Sequence, residues 1–488
     1  MLYQNPIIRG MYPDPSVCYK DGVYYLVNST FEYFPGVPVF ESTDLINWKQ
    51  IGNCLTRKAQ LDLSNTDCSG GVFAPVIRYH AGKFYMITTC ACRDCFRNFF
   101  VTAEDPAGEW SDPIFLDFKG IDPSFYWENG HTYIQYAGRG EIFQIEIDEE
   151  TGNIIKGPIM LTTGCGGRDA EGPHMWKKNG YYYLMLAEGG TREGHMETLM
   201  RGESLWGPFE ASPHNPILTN RECAKESIQC VGHADWIIGP DGKDYLVALG
   251  TRHLRHQTLL GRETVLTPAR WTEDGWLVSE TGNLPEQWEG TIAETQNWEK
   301  TFCLDMSQKT MPLQIVSPRD AHPECYKFKD KVLKINGNKE SLSDGTGACW
   351  LIRQSEFDFT FEVDLKAEVK DESDEAGIVI RSSDDYHFSL FCTVRDGKQV
   401  VVLRKKAADL ENETVYVLSE EQLKGQLTFQ AAGNKKQYTF YCNGEEIGWS
   451  YTRHLTIQTA GTPNTGVMLG IFAAGEAKAE IGRFQYQI

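Results

Sequence analysis

Three acidic residues far apart in the chain, Asp14, Asp122 and Glu171, share one local setting. Each heads a short strand-like run that ends at a turn glycine, and each has a proline one or two residues on: Pro15, Pro123 and Pro173. Proline suits the start of a strand, where its missing N–H costs no ladder bond. Asp-Pro alone only marks turns, and Asp105-Pro106 and Asp112-Pro113, out of register in Glu/Gly/Ser-rich connections, are read that way. Three carboxyls brought to one place repel each other and raise at least one pKa, a cost without structural return. Two opposed carboxyls with room between them suit hydrolysis of a glycosidic bond. With inversion they stand about 6.5–9.5 Å apart, leaving space for a water.

The element that must position them is a repeat: a turn glycine followed by an aromatic-rich strand. Its copies are Gly22-Val23-Tyr24-Tyr25, Gly82-Lys83-Phe84-Tyr85, Gly130-His131-Thr132-Tyr133, Gly180-Tyr181-Tyr182-Tyr183 and Gly242-Lys243-Asp244-Tyr245. Self-similarity at a period of about 50–60 residues marks one supersecondary unit reused. Alternating aromatic and aliphatic runs bounded by Gly, Asn and Asp are strand signals, and no stretch carries a sustained helical stripe. Five small antiparallel sheets predict a five-bladed β-propeller. At one common offset before the glycines stand Asp14, Ala74, Asp122, Gly172 and Ala234, with Glu171 and His233 one residue earlier. If these residues open the innermost strands, they converge on the central channel. Neighbouring blades are about 72° apart, so Asp122 is expected beside Glu171 with Asp14 across the channel. Glu171 then reads as general acid, kept protonated by burial and the Asp122 charge. Asp14 reads as the base that activates water, and Asp122 as the group that raises and orients the acid.

These segments resemble glycoside hydrolase family 43, inverting β-xylosidases and α-L-arabinofuranosidases on a five-bladed propeller. The likeness is carried by Tyr12-Pro13-Asp14-Pro15-Ser16, Ser69-Gly70-Gly71-Val72-Phe73-Ala74-Pro75, Gly120-Ile121-Asp122-Pro123-Ser124, Glu171-Gly172-Pro173-His174, Gly232-His233-Ala234 and Leu260-Gly261-Arg262-Glu263-Thr264. The resemblance puts the family's base, modulator and acid on Asp14, Asp122 and Glu171. It further implies Arg262 as a sugar-hydroxyl ligand and Phe31 and Phe73 as apolar walls. It also implies a structural calcium ion or ordered water near His233, with no cofactor needed for the chemistry. A single imidazole is a poor calcium site, because calcium prefers oxygen ligands.

The repeat ends near Trp276, and a coil-rich stretch follows. From about Cys325 strands such as Phe357–Leu365 and Val400–Arg404 read as alternating, half-buried antiparallel sheet, hence a β-sandwich. It resembles the concanavalin-like jelly roll of β-xylosidase-type relatives. The expected domains are a propeller over 1–285, a linker over 286–324 and a sandwich over 325–488. In such relatives the sandwich narrows the channel mouth, which implies exo attack at a non-reducing end, and assembly into dimers or tetramers.

A net charge of −20 opposes nucleic-acid binding but not an oligosaccharide substrate. No apolar run approaches membrane-spanning length and no signal peptide is visible, so the 14 cysteines are read as reduced thiols of a cytoplasmic protein. Cys90, Cys92 and Cys95 lack the second cysteine pair that zinc sites usually show, and are read as free thiols near the pocket mouth. The resulting expectation is an exo-acting inverting glycosidase that releases β-D-xylose from xylo-oligosaccharides. A preference for α-L-arabinofuranose is the nearest alternative. A retaining fructan-type hydrolase would need Arg-Asp-Pro and Glu-Cys where Ile121-Asp122-Pro123 and Glu171-Gly172 stand. A non-catalytic sugar-binding propeller would have no reason to keep three carboxyls in register.

Overall fold

The computed structural model describes residues 1–488, apart from the side chains of residues 423 and 424. The chain is all-β, with two short α-helices and three 3-10 turns in the second half. Five consecutive antiparallel sheets of four or five strands fill the first half. Their first strands are Ser16–Lys20, Val76–His80, Ile121–Glu128, Glu171–Lys178 and Ile228–Ile238. Each of these touches the next, and the fifth touches the first, so the strands close a ring. A three-residue strand pairing, Leu2–Gln4 with Gln287–Glu289, ties the two ends of that ring together.

The repeated glycine explains the hairpins. In four sheets the first and second strands are joined by two residues, both with positive φ: Asp21-Gly22, Ala81-Gly82, Asn129-Gly130 and Asn179-Gly180. This is the type I′ turn, whose twist matches the flanking strands. The fifth hairpin pairs Ile238 with Asp244 and holds a longer loop around Gly242. That extra length shifts the offset counted back from the glycine. Ala234 therefore does not occupy the position of Asp14 and Asp122; His233 does.

The second half forms an eight-stranded and a six-stranded sheet. Phe361, Val363, Leu365 and Phe429 of the first pack on Ile378, Leu390 and Ile471 of the second in one core. Phe359–Glu368 alternates buried and part-exposed residues, as its sequence predicts. The six-stranded sheet departs from that pattern: Glu375–Arg381 and Met468–Ala474 are buried throughout. Its outer face, with Val379, Phe391, Val402 and Met468, packs with Met11 and Tyr33 of the ring, so both faces are apolar. Val400–Leu403 thus reads as a run buried on two sides rather than as an alternating strand.

The stretch between the halves is not free coil. Thr301–Cys303 pairs with the terminal strand Lys478–Gln487, and Ser317–Pro318 returns to pair with Tyr33–Phe34 of the ring. Ion pairs Arg9–Glu356 (2.6 Å) and Arg252–Glu356 (2.8 Å) fasten the halves elsewhere. Among the described residues no helix is long and apolar enough to cross a membrane.

Candidate active site

One backbone device recurs where the first strands meet the channel. In three sheets the ladder slips between Ile121 and Ser124, between Glu171 and His174, and between Gly232 and Asp235. The residues in these bulges with left-handed backbone are Asp122 (φ 54), Gly172 (φ 57) and His233 (φ 52). Asp14 (φ 52) stands in the same conformation just before Ser16–Lys20. Bulges re-aim side chains and cluster at active sites, and Asp tolerates the left-handed region better than most residues. Glycine at 172 has a further cause. A Cβ there would come within 2.9 Å of His233 Nε2. The acid of the fourth sheet therefore stands one place earlier, at Glu171.

Asp14, Asp122 and Glu171 all line one cavity of about 330 Å³, together with Phe31, Phe73, His233 and Arg262. Asp14 is buried and accepts from Ser29 Oγ at 2.6 Å and from both Arg262 terminal nitrogens at 2.8 and 3.3 Å. Burial pushes its carboxyl up, but Arg262, His233 and Ser29 outweigh that and hold it below the usual carboxylate value. Glu171 behaves oppositely. Burial, with the Asp14 charge added, lifts it to about 7. Asp122 is also lifted well above its ordinary value by burial, by Glu171 and by Asp14. Burial and the neighbouring acids thus raise both Asp122 and Glu171 above the ordinary carboxyl range. Asp122 Oδ2 accepts from the Gly172 N–H at 3.2 Å, which fixes the backbone next to Glu171.

Phe31 and Phe73 meet at 5.7 Å between ring centres, and the Arg262 guanidinium lies 5.4 Å from the Phe31 ring. Phe31 is placed by a bridge to Val72, and Gly71 is needed there because a Cβ would collide with the Phe31 carbonyl. Arg262 also donates to Thr191 Oγ1 at 3.2 Å. Its fork is spent mainly on Asp14.

Sequence reasoning missed several lining residues: Ile121, Arg168, Asp169, Arg192 and, from the second half, Asn464. Asn464 Nδ2 donates to the Ser69 carbonyl at 3.0 Å, and the Asn464 backbone carbonyl accepts from Arg262 at 3.4 Å. The sandwich thus reaches the cavity through one residue that no motif marked. Beneath the cavity lies a second missed group. Arg78 donates to Asp235 Oδ2 (2.7 Å), Ser16 Oγ (3.0 Å) and His174 Nδ1 (2.8 Å). The acceptor role fixes His174 as neutral, in keeping with burial lowering it to about 4.

The donor set around His233 is a poor fit for calcium. Its Nδ1 lies 3.7 Å from Asp14, whose oxygens serve Arg262 and Ser29. Asp235, also near it, serves Arg78 and Ser16, and Glu197 is taken up with the Ala234 N–H. Calcium wants six to eight oxygens, and these are already committed to cations, hydroxyls or a backbone N–H. At the cysteine cluster, Cys90 Sγ and Cys92 Sγ are 3.4 Å apart. Hydrogen bonds from Cys90, Thr66 and Cys95 hold the Cys92 thiol below its ordinary value.

Comparison with known proteins gives matches along nearly the whole chain. Residues 3–277 match the model of glycosyl hydrolases family 43, and residues 304–487 match the β-xylosidase C-terminal concanavalin A-like domain. A non-reducing end α-L-arabinofuranosidase of Bacteroides ovatus is 35% identical over 98% of this chain and 92% of its own length. A xylosidase/arabinosidase of Butyrivibrio fibrisolvens is 37% identical over 82% of this chain and 81% of its own. Among solved structures, a xylan β-1,4-xylosidase of Bacillus halodurans superposes with a TM-score of 0.92 at 28% identity, covering 100% of both chains.

Proposed function

Because this chain belongs to glycosyl hydrolases family 43, we propose that it cuts single pentose residues from the non-reducing ends of short oligosaccharides, with inversion. The chain is a glycoside hydrolase. We read its five sheets as the blades of a propeller spanning 1–285, joined through 286–324 to a sandwich over 325–488. β-D-Xylose from xylo-oligosaccharides is the first substrate and α-L-arabinofuranose the second. Relatives named for both activities support the pair.

The observation that carries the reading is the opposed surroundings of two acids on one cavity: Arg262 and Ser29 hydrogen-bond Asp14 and hold it below the usual carboxylate value, while burial and the Asp14 charge raise Glu171 to about 7. Glu171 gives its proton to the departing glycosidic oxygen. Asp14 takes a proton from a water that attacks the anomeric carbon from the other face. Arg262 keeps Asp14 ionised and aimed. Asp122 modulates and orients Glu171 and fixes the Gly172 backbone beside it. Phe31 and Phe73 offer an apolar wall to the sugar ring, and Asn464 narrows the mouth so that a chain end is favoured over a chain middle. The steps need no cofactor.

Proton NMR of the first-formed anomer from an aryl β-xyloside tests the chemistry: an inverted product is expected, and a retained one would overturn it. Rates on p-nitrophenyl β-D-xylopyranoside and p-nitrophenyl α-L-arabinofuranoside test the substrate pair. Xylose as the sole early product from xylotetraose tests the exo mode.

A further inference from the structure

The crossing segment between the two halves carries a group of side chains that the proposed chemistry does not use. His322, Glu324 and Cys325 offer ligand atoms that all lie within 4.8 Å of one another, the one such trio among the described residues. His322 Nδ1 is 3.8 Å from Glu324 Oε1, and Cys325 Sγ is 3.4 Å from the same oxygen. A tetrahedral zinc ion with ordinary bond lengths would need N–O and S–O edges of about 3.4 and 3.6 Å. The observed edges differ from these by a few tenths of an ångström.

The local chemistry favours a metal over an ion pair. His322 is only 4% exposed, and burial disfavours a charged imidazolium, so the ring offers a lone pair rather than a cation. Its Nδ1 faces Glu324, and its Nε2 has no hydrogen-bond partner. Cys325 is also 4% exposed, whereas the Glu324 side chain is 68% exposed. An ion could therefore enter from the Glu324 side and keep a water as its fourth ligand. A nitrogen, a thiolate and a carboxylate suit zinc and its neighbours rather than calcium or magnesium.

Position gives such a site a purpose. Ala321 packs on the core of the first two sheets, and Asp320 pairs with Lys58 of the ring at 3.2 Å. Cys325 belongs to the sandwich core, and Trp350 Nε1 donates to the Ala321 carbonyl at 3.4 Å. We propose that His322, Glu324 and Cys325 bind one zinc-type divalent ion that staples the crossing segment where ring and sandwich meet. Binding replaces the Cys325 S–H bond by a metal–sulfur bond and releases that proton to solvent.

The full-length protein, stripped with a chelator and dialysed, is titrated with zinc and separately with cobalt(II). One ion per chain is expected, with a thiolate-to-cobalt charge-transfer band in the near ultraviolet. Cys325→Ser should abolish the band, and Glu324→Gln, at an exposed position, should weaken zinc binding at least tenfold. Cys92→Ser should leave both intact, which separates this site from the other cysteine cluster. Zinc should raise the unfolding midpoint of the wild type and not that of Glu324→Gln. No uptake by the wild type, or wild-type binding by Glu324→Gln, would overturn the proposal. If Cys325→Ser fails to fold, Glu324→Gln alone decides.

Discussion

The lining of the cavity (the rim) and the cluster around Arg78 (the floor) are built from neighbouring residues of the same strands, yet they treat charge in opposite ways. On the floor, Asp235 is matched by Arg78, and His174 accepts from the same guanidinium. A few residues away, Asp14, Asp122, Asp169 and Glu171 line one cavity with Arg168, Arg192 and Arg262, and Arg262 is committed to Asp14. The floor therefore has fixed protonation, and its charges hold the ring together. At the rim carboxyls outnumber guanidiniums and burial raises both Asp122 and Glu171, so a proton stays on the acids there and is free to be transferred. Shortage of counter-charge, rather than the presence of acids, distinguishes a site that can do chemistry from one that only binds strands.

The largest effect should come from emptying the ionised side of the rim. Asp14→Ala is expected to cost about 10³-fold or more in kcat on both xylobiose and activated aryl xylosides, since water activation is needed for each. Unchanged turnover would end the distinction between rim and floor. Glu171→Ala should cost about 10²-fold on xylobiose and under tenfold on aryl glycosides with good leaving groups, which need little protonation. The pH profile sharpens the same point. The acid must be protonated, so kcat/KM on xylobiose should fall as pH rises through about 7, the value to which burial lifts Glu171. Asp14 must be ionised, and it is held below the usual carboxylate value, so the acidic limb should lie below that value. Glu171→Ala should erase the alkaline limb and leave the acidic one.

Breaking the floor should act on stability instead. Arg78→Met leaves Asp235 buried without its cation, and a loss of about 3 kcal/mol is expected in denaturant unfolding. Arg78→Met combined with Asp235→Asn should recover much of it. The smallest effect is expected at the mouth. Asn464→Ala removes one hydrogen bond to the Ser69 carbonyl. About 1 kcal/mol lost there should raise KM for xylobiose roughly fivefold with little change in kcat.

Much of this was legible in the chain because the repeat is strict. Four hairpins use two-residue left-handed turns, so the spacing from glycine to Asp14 and to Asp122 is the same, with Glu171 one place earlier. His233 was displaced by one place because the fifth hairpin is longer, a difference the glycine alone does not reveal. Arg78 and Asp235 were missed because their partners come from three different sheets, and no local pattern announces a contact of that kind. Asn464 was missed for a related reason: a lone asparagine in a sandwich loop has no signature until the loop is seen against Ser69. Val400–Leu403 misled because period two describes a strand with one wet face, and here the ring covers the other face.

The pairing of Leu2–Gln4 with Gln287–Glu289 has a consequence for biosynthesis. Asp14 and Arg262 lie 248 residues apart in sequence, and they meet only when the fifth sheet docks against the first. A ribosome-bound chain that has not yet extruded residue 289 holds the nucleophile-activating carboxylate without its guanidinium. Hydrolytic competence should therefore switch on in one late event of synthesis, rather than grow as each sheet emerges.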